Sequence, residues 1–333
     1  MAKALPTGTV RKSDAYQPVP KLWYIPFSMN SAKAGMCLRL SSVNKAAERV
    51  DLGPVGQYSF EAARLNPNMT VPFLEVEDKV ITDSRLIADH LFQVSPGVGD
   101  LSVQSSGKTA ELTSFVDLIA AWDEAVWCFS QIGDNSTKAN IPRFVTLHKN
   151  VLLAASQARS LPPIDGRSVE DVYLKKIAGL RFFQHMSSSA PDAADYQKQN
   201  RGAFEAIWER ANELLTAQGV ADAFLFGSEL TTADAFFVPF LYRVEFISKA
   251  ILKEHFGTYP RIRSYWEQVQ LTDEAKSVTG FGKPYIAKMM LSSCLPCKMC
   301  PYFVGCRKCA PLTDEMEQKI STFMEEKKQE VTA

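Results

Sequence analysis

Two serines stand where a short apolar strand gives way to a helix. The segment 21–26 is rich in aromatic residues and ends in proline, which is typical of a buried strand, and Ser28 and Ser31 follow it. The first N–H groups of a helix are unpaired and carry positive potential, so they stabilise a thiolate or a carboxylate. A serine hydroxyl adds a directed hydrogen bond. Serine is also a favoured helix cap, and the residues alone favour that structural role.

Val71-Pro72 forms a second candidate binding edge. The pair follows the turn signal Leu65-Asn66-Pro67-Asn68 and begins a short apolar strand. A cis peptide at this proline would leave the backbone groups of Val71 free to pair with an extended peptide ligand, as in strand addition. The residues by themselves favour the alternative, an ordinary trans proline at a strand edge.

Two further motifs stand directly before apolar helical stretches. Ser84 and the N–H groups behind it would hold a ligand carboxylate, and Asp83 would take a ligand ammonium; the alternative is a helix cap. Thr231 and Asp234 match the Thr-x-x-Asp pattern of a capping box, and here the structural role is the preferred one. Such a cap stabilises a helix by about 1 kcal/mol.

The predicted elements divide the chain into an α/β part and a helical part. Strand, helix, strand, two strands and a helix are predicted up to residue 95, including a helix at 32–50 and a less clear extended piece at 55–60. Strand signals then stop, which predicts two segregated domains. The predicted helices of the second part are 111–132, 140–159, 169–185, 195–219, 231–254 and 259–270. The expected organisation is a flexible tail at 1–20, an α/β domain at 21–95, a linker at 96–108, an all-α domain at 109–280 and a cysteine-rich tail with a terminal helix at 281–333.

The composition excludes several classes of partner. Lysine plus arginine equals aspartate plus glutamate, 37 each in 333 residues, so no nucleic-acid partner is expected from net charge. No run approaches the roughly 18 to 20 apolar residues of a membrane helix, and the first twenty residues lack the apolar core of a secretory signal. We therefore expect no transmembrane segment and a cytoplasmic location, with an organelle-targeting role of the first residues left open.

Five of the seven cysteines are clustered at metal-knuckle spacing. Four thiolates could close a tetrahedral zinc site, and a set without histidine also suits an iron–sulfur cluster. The alternatives are a reduced flexible tail or lipidated cysteines. The simplest ligand set is Cys297, Cys300, Cys306 and Cys309, with Cys294 as a further candidate.

The order of these motifs resembles the glutathione transferase superfamily over roughly residues 21–270. The resemblance depends on four motifs: the serine loop (residues 26–33), the Asn-Pro turn before Val71-Pro72, the pair Asp83-Ser84 and the Thr-x-Ala-Asp box that begins at Thr231. The loop PFSMNSAK at 26–33 looks like the PYSLDSQK of the plant tetrachlorohydroquinone-dehalogenase-like transferases. The long stretch between the first two helices of the helical part is similar to the ganglioside-induced differentiation-associated proteins. The implied fold is a thioredoxin-like glutathione-binding domain followed by an all-α domain.

The resemblance also implies roles for individual residues. In serine-type members a loop serine hydrogen-bonds the glutathione sulfur and favours its thiolate. The resemblance assigns this role to Ser28, with Ser31 as the alternative. Val71, held by Pro72, would pair with the cysteinyl backbone of glutathione. In the same reading, Ser84 would bind the γ-glutamyl carboxylate and Asp83 would lie near its amine.

The implied activity is attack of the glutathione thiol on a small electrophilic or apolar substrate by a homodimer. Trp122, Trp127 and Phe129 are candidate linings of the second-substrate pocket. The alternative is a non-catalytic binding or scaffold protein that uses its cysteine-rich tail for a metal or a partner. The bacterial dehalogenases of the group carry Ser-x-Cys-Ser in the loop, whereas Asn30 replaces that cysteine here. We therefore expect no reductive dehalogenation through a protein thiol at this place.

Overall fold

The first domain is an α/β unit built on a four-stranded sheet. The computed structural model describes residues 19–43, 47–53, 56–131, 162–188, 190–219, 223–279 and 312–332. The predicted tail at 1–20 and the cysteine cluster at 294–309 therefore lie almost wholly outside the described residues. The elements of the first domain are β1 (Lys21–Tyr24), α1 (Met29–Leu40), β2 (Glu48–Asp51), a 3₁₀ turn (Gly56–Tyr58), α2 (Phe60–Leu65), β3 (Phe73–Val76), β4 (Lys79–Ile81) and α3 (Ser84–Val94).

The sheet has the strand order β2-β1-β3-β4, and its register decides which loops meet. Strand β2 runs parallel to β1, whereas β3 is antiparallel to both β1 and β4. Trp23 pairs with Phe73, and Leu74 pairs with Ile81. The end of β1, the start of β3 and the end of β4 consequently lie at the same end of the sheet.

Two predictions in this domain are wrong. The helix predicted at 32–50 ends at Leu40, and the strand lies at Glu48–Asp51 rather than at 55–60, where the chain forms the 3₁₀ turn and then α2. Strand β2 has the sequence ERVD and is half-exposed at the sheet edge. Its hydrogen bonds come from the backbone, so no apolar alternation marks it in the sequence.

The second domain is helical. Most of its predicted helices are confirmed, although 111–132 and 231–254 each divide into two, and the helix predicted at 140–159 lies outside the described residues. Asp234 accepts the Thr231 N–H at 2.8 Å and closes the predicted capping box. The helices are α4 (Val98–Ser105), α5 (Thr109–Ala121), α6 (Glu124–Gln131), α7 (Val169–Met186), α8 (Pro191–Gln218), α9 (Thr232–Ile247), α10 (Lys249–Thr258), α11 (Pro260–Val269), α12 (Asp273–Thr279) and α13 (Asp314–Thr332).

The segment predicted as a linker contains helix α4 and is fastened to α9. A Cβ added to Gly99 would lie 2.2 Å from the Leu230 carbonyl oxygen, so only glycine allows this approach. Asp100 is buried and accepts two 2.8 Å hydrogen bonds from Thr232, one from its N–H and one from its hydroxyl. The connection between the domains is therefore a packed element.

The two domains share one hydrophobic core. Helix α1 is buried along nearly its whole length because it packs on α3 within the first domain and on α9 and α12 of the second. A separate cluster joins α7 and α13 to the loop before β3, through residues that include Met69, Tyr173 and Ile320. Among the described residues, no helix is long and apolar enough to cross a membrane.

Candidate functional site

Ser28 caps helix α1 and remains half-buried at the domain surface. Its hydroxyl oxygen accepts the Ser31 N–H at 3.2 Å, and its own N–H donates to the Ile25 carbonyl at 3.0 Å. The cap that the residues alone favour is thus present. Within the described part of the chain, the hydroxyl proton of Ser28 has no acceptor, so a ligand atom can take it.

Ser31 is turned into the protein instead. Its side chain is 2% exposed, and its hydroxyl oxygen accepts the Ile25 N–H at 3.2 Å. This bond ties the first turn of α1 to the end of β1. The two serines of the loop therefore differ in solvent exposure. The Ser28 side chain is partly exposed, whereas the Ser31 side chain is buried and stabilises the loop through its hydrogen bond.

The Val71-Pro72 peptide is cis, so the trans geometry that the residues favoured is wrong. An X-Pro bond prefers trans by only about 0.5–1 kcal/mol, which a local sequence pattern does not resolve. The pair precedes β3, and the N–H and C=O of Val71 have no hydrogen-bond partner among the residues that the structure describes. An extended backbone can pair with these groups.

The turn before this edge is held by its own side chains. Asn66 is fully buried; its amide donates to the Thr70 carbonyl at 2.8 Å, and its amide oxygen accepts the Asn68 N–H at 3.1 Å. Lys176 of α7 donates to the Asn68 carbonyl at 3.0 Å. The segment that leads to Val71 is consequently fixed from within and from the helical domain.

Asp83 and Ser84 begin helix α3 at the same end of the sheet. Asp83 is the N-cap, and one of its carboxylate oxygens accepts the N–H groups of Arg85 at 2.7 Å and Leu86 at 3.3 Å. Ser84 is 6% exposed, and its hydroxyl has no hydrogen-bond partner in the described ranges. The capping role of Asp83 leaves its second oxygen available, and the Ser84 hydroxyl is a donor that lacks an acceptor in the described ranges.

The sheet register brings these groups to one edge. Ser28 follows β1, Val71 precedes β3 and Ser84 follows β4, and all three strand ends lie side by side. The N-termini of α1 and α3 begin there as well, and their positive ends face this region. The side chains of Ser28 and Asp83 cap part of each first turn, so the Ser84 N–H is the group at the start of α3 that Asp83 leaves open. The edge combines an unpaired strand backbone with donors for anionic groups, which suits a short peptide that carries a carboxylate and a thiolate.

Two cations that the sequence interpretation did not assign lie beneath the serine loop. Lys33 is 2% exposed, donates to the Asn30 side chain at 3.1 Å and lies 5.3 Å from the ring centre of Phe236. Burial has the largest effect on its pKa and lowers it to about 8, although the carboxylates of Glu124 and Asp83 favour the charged form.

Arg243 of α9 is the second buried cation, 8% exposed. It pairs with Glu124 at 2.6 Å and donates to the Phe27 carbonyl at 2.6 Å. A lone arginine in the apolar run of α9 was a signal for a buried partner, since a buried charge is retained only where it is paired.

Several candidates from the sequence take no part in this edge. Trp122 and Trp127 are 3% and 4% exposed and pack against Phe204, so they belong to the core and do not line a pocket; the side chain of Phe129 lies outside the description. Burial raises the pKa of the thiols of Cys37 and Cys128, which disfavours their reactive thiolates.

The tail cysteines lie outside the described residues. Among the described residues, no cluster of His, Cys, Asp or Glu could hold a metal ion.

Two family models match the chain in sequence. The model described as "Glutathione S-transferase, N-terminal domain" matches residues 22–99, and the model described as "Glutathione S-transferase, C-terminal domain" matches residues 189–267. The three strand ends of the candidate site lie in the first range and Arg243 in the second, whereas α7 and α13 lie outside both. No curated protein matches the chain in sequence.

Solved structures are similar to the chain over most of its length, at low identity. A β-etherase from Sphingobium sp. strain SYK-6 shares 17% identity, with 79% of this chain and 99% of that chain covered at a TM-score of 0.46. A delta-class glutathione transferase from Nilaparvata lugens shares 18% identity, with 80% of this chain and 99% of that chain covered at a TM-score of 0.44. Assignment of a family therefore depends on the two family models.

Proposed function

Because the chain belongs to the glutathione transferase superfamily, we propose that it binds glutathione along the edge formed by Ser28, Val71 and Ser84 and activates its thiol. The observation that carries this proposal is the meeting of an unpaired Val71 backbone with two helix N-termini and two serine hydroxyls at one end of the sheet. The second substrate is a small electrophilic or apolar molecule that approaches from the helical domain.

Each part of glutathione finds a complementary group in this proposal. The cysteinyl backbone pairs with the N–H and C=O of Val71, as an added strand would. The γ-glutamyl carboxylate accepts from the Ser84 hydroxyl and the Ser84 N–H at the start of α3, since Asp83 already accepts from Arg85 and Leu86. The free oxygen of Asp83 takes the ammonium. This arrangement directs the thiol toward the N-terminus of α1.

Ser28 then favours the reactive form of the thiol. Its hydroxyl proton donates to the sulfur while its oxygen keeps the Ser31 N–H, and the positive end of α1 adds to the effect. Each unit by which the thiol pKa falls corresponds to about 1.4 kcal/mol in favour of the thiolate. The thiol proton leaves to solvent, and the thiolate attacks the electrophilic carbon of the second substrate. As the carbon–sulfur bond forms, either a leaving group departs with its electron pair, or the electron pair of an attacked double bond shifts onto the substrate and takes up a proton from solvent.

Three serine variants test the proposal with glutathione-affinity retention and a generic conjugation assay. Ser28→Ala should retain glutathione, while turnover falls about 100-fold, the usual cost of losing one donor to a developing anion. Ser31→Ala should change turnover less, because Ser31 acts inside the loop. Ser168→Ala is the matched control, since Ser168 caps α7 through the same kind of bond at 3.0 Å.

The outcomes separate the two functions that the fold allows. Failure of the wild-type protein to retain glutathione would contradict the proposal altogether. Retention without turnover in the wild type would favour a non-catalytic binding protein. If Ser31→Ala loses turnover while Ser28→Ala keeps the turnover of the wild type, the thiol contact would be assigned to Ser31 instead.

The metal proposal for the tail depends on the sequence alone. We propose that Cys297, Cys300, Cys306 and Cys309, with Cys294 in reserve, hold zinc or an iron–sulfur cluster. Metal analysis of the purified protein with and without residues 290–333 tests it. Stoichiometric zinc or iron that disappears with the tail is the expected result, and its absence from the intact chain would contradict the proposal.

A further inference from the structure

Arg243 reaches from the helical domain into the serine loop of the first domain. One nitrogen of its guanidinium donates to the Phe27 carbonyl at 2.6 Å, and a second pairs with the Glu124 carboxylate at 2.6 Å. The guanidinium also lies 4.5 Å from the ring centre of Phe27, and this ring pairs edge-to-face with Phe246 at 5.0 Å. Three separate interactions thus converge on the residue before Ser28.

The Phe27 carbonyl and the Ser28 N–H belong to one planar peptide unit. Arg243 holds the carbonyl, and the Ile25 carbonyl accepts the N–H at 3.0 Å. The peptide plane is therefore fixed on both sides, and only the torsions of Ser28 itself remain to direct its hydroxyl. Loss of the Arg243 contact frees one side of this plane.

Stability alone gives little reason for such an ion pair. The side chains of Arg243 and Glu124 are 10% and 18% exposed, and a buried ion pair often contributes no more to stability than well-packed apolar residues would. The presence of an arginine within the apolar helix α9 is best explained by the group that its guanidinium holds, the Phe27 carbonyl of the serine loop.

We propose that Arg243 is a positioning residue that sets the direction of the Ser28 hydroxyl, with Glu124 as its anchor. The inference rests on the proposed function, because the hydroxyl is assigned to the glutathione sulfur. It also links the two domains: the thiol-activating loop has its working geometry only while α9 is docked against it. Glu124, at the start of α6, is then a second positioning residue that acts through Arg243.

The test compares Arg243→Lys and the double variant Arg243→Gln/Glu124→Gln with wild type. The lysine variant keeps one charge but cannot reach both partners at once, and the double variant leaves no unpaired buried charge. Arg210→Gln is the matched control, because Arg210 on α8 likewise makes two contacts of 2.6 Å, in its case with the carboxylates of Glu111 and Glu213 and none with the serine loop. Thermal unfolding first establishes that each variant is folded.

Two measurements follow, one of which needs no glutathione. Hydrogen–deuterium exchange of the peptide spanning residues 26–31 should rise about 10-fold in both Arg243 variants, since a held peptide plane protects the Ser28 N–H. The pKa of the bound glutathione thiol, read from thiolate absorbance, should rise toward that of free glutathione. At neutral pH kcat should fall about 10-fold, while KM for glutathione changes less than about 3-fold. Arg210→Gln should match wild type throughout.

Unchanged exchange of residues 26–31 in folded Arg243 variants would overturn the inference. Raised exchange with an unchanged thiol pKa would also overturn it, because Arg243 would then be only a structural contact. A wild-type protein that binds no glutathione refutes the proposed function. It also refutes the inference that Arg243 acts on the glutathione sulfur through Ser28. The exchange result would then still decide whether Arg243 holds the loop.

Discussion

Lys33 is a charge kept in the interior next to the proposed site. An exposed lysine has a pKa of 10.5, whereas burial lowers the pKa of Lys33 to about 8. Between these two values the unfolded chain binds more protons than the folded one, so folding becomes more favourable as pH rises from 8 to 10.5. At neutral pH the protein carries the full cost of the buried ammonium.

The first prediction concerns the removal of this charge. Lys33→Met should raise the free energy of unfolding at pH 7 by up to about 3 kcal/mol, reduced by the lost contact with Asn30, because 1 pKa unit is worth about 1.4 kcal/mol. The gain should shrink toward pH 10, where the unfolded lysine also loses its proton. Urea unfolding at both pH values measures it.

Lys198→Met provides the control for this change. Lys198 is exposed on α8, so its substitution should change stability little at either pH. A Lys33→Met protein that is less stable than wild type at pH 7 would contradict the burial argument.

At the level of single residues the sequence identified the strand-end groups but not their orientation. Ser28, Val71 and Ser84 could be chosen because turn, cap and proline signals are local. Whether Ser28 or Ser31 faces solvent depends on the angle at which α1 leaves β1, which no local pattern contains. Arg243 lies more than 200 positions from Phe27 along the chain, and only the docking of the domains brings the two together.

Helices α7 and α13 form a pair that lies outside both matched family ranges. Arg181 donates to both carboxylate oxygens of Glu317 at 2.5 and 2.9 Å, and the apolar faces of the two helices bury Ile320 completely. Tyr173 of α7 donates to the Tyr58 carbonyl at 2.7 Å. The pair therefore contacts the first domain at Tyr58 and, through Met69 and the Asn68 carbonyl, at the turn that leads to Val71.

The second prediction tests this pair. Ile320→Ala should lower the free energy of unfolding by about 2–4 kcal/mol, since it removes a fully buried side chain and leaves a cavity. It should also raise hydrogen exchange at residues 66–70. Thr322→Ala, on the exposed face of α13, is the matched control and should cost less than about 0.5 kcal/mol. Unaltered exchange at 66–70 in a destabilised Ile320→Ala protein would show that the pair does not support this segment.

The helices and strands that have a clear apolar periodicity could be predicted from the sequence, and those without it were missed. The terminal helix followed from its stripe of Met316, Ile320 and Phe323, and it is confirmed as α13. Strand β2 was missed because an edge strand with charged side chains has no such period. Helix α4 was missed because Gly97 at its N-cap and Gly99 in its first turn serve close packing, whereas glycine in a sequence more often marks a loop.

At the scale of the whole molecule, an apolar surface remains on one side of the domain connection. It consists of the exposed side chains at the end of α3 and along α4, namely Val94, Val98 and Leu101, at 62%, 73% and 52% exposure. Homodimerisation is implied by the resemblance, and we propose that these residues contribute to the contact. Clusters of exposed apolar side chains are typical of protein interfaces.

The third prediction is the assembly state. Light scattering should give twice the mass of one chain, and Val98→Asp/Leu101→Asp should reduce it to one, because two desolvated carboxylates oppose the contact. Leu271→Asp is the control, since Leu271 is equally exposed at 69% but lies elsewhere. A wild-type chain that is monomeric at micromolar concentration would contradict the dimer.

The packing of α13 also constrains the order in which the protein is built. Met69, in the turn before Val71, shares its apolar cluster with Ile320, which is translated some 250 residues later. While the chain is still emerging from the ribosome, the first domain can form its sheet, and α7 can reach this turn, but the part of the cluster that α13 supplies is still missing. Contacts of such long sequence separation form late in folding. A nascent chain would therefore complete the packing around this turn, and with it the support of the proposed binding edge, only after α13 has been made, with Met69 incompletely covered until then.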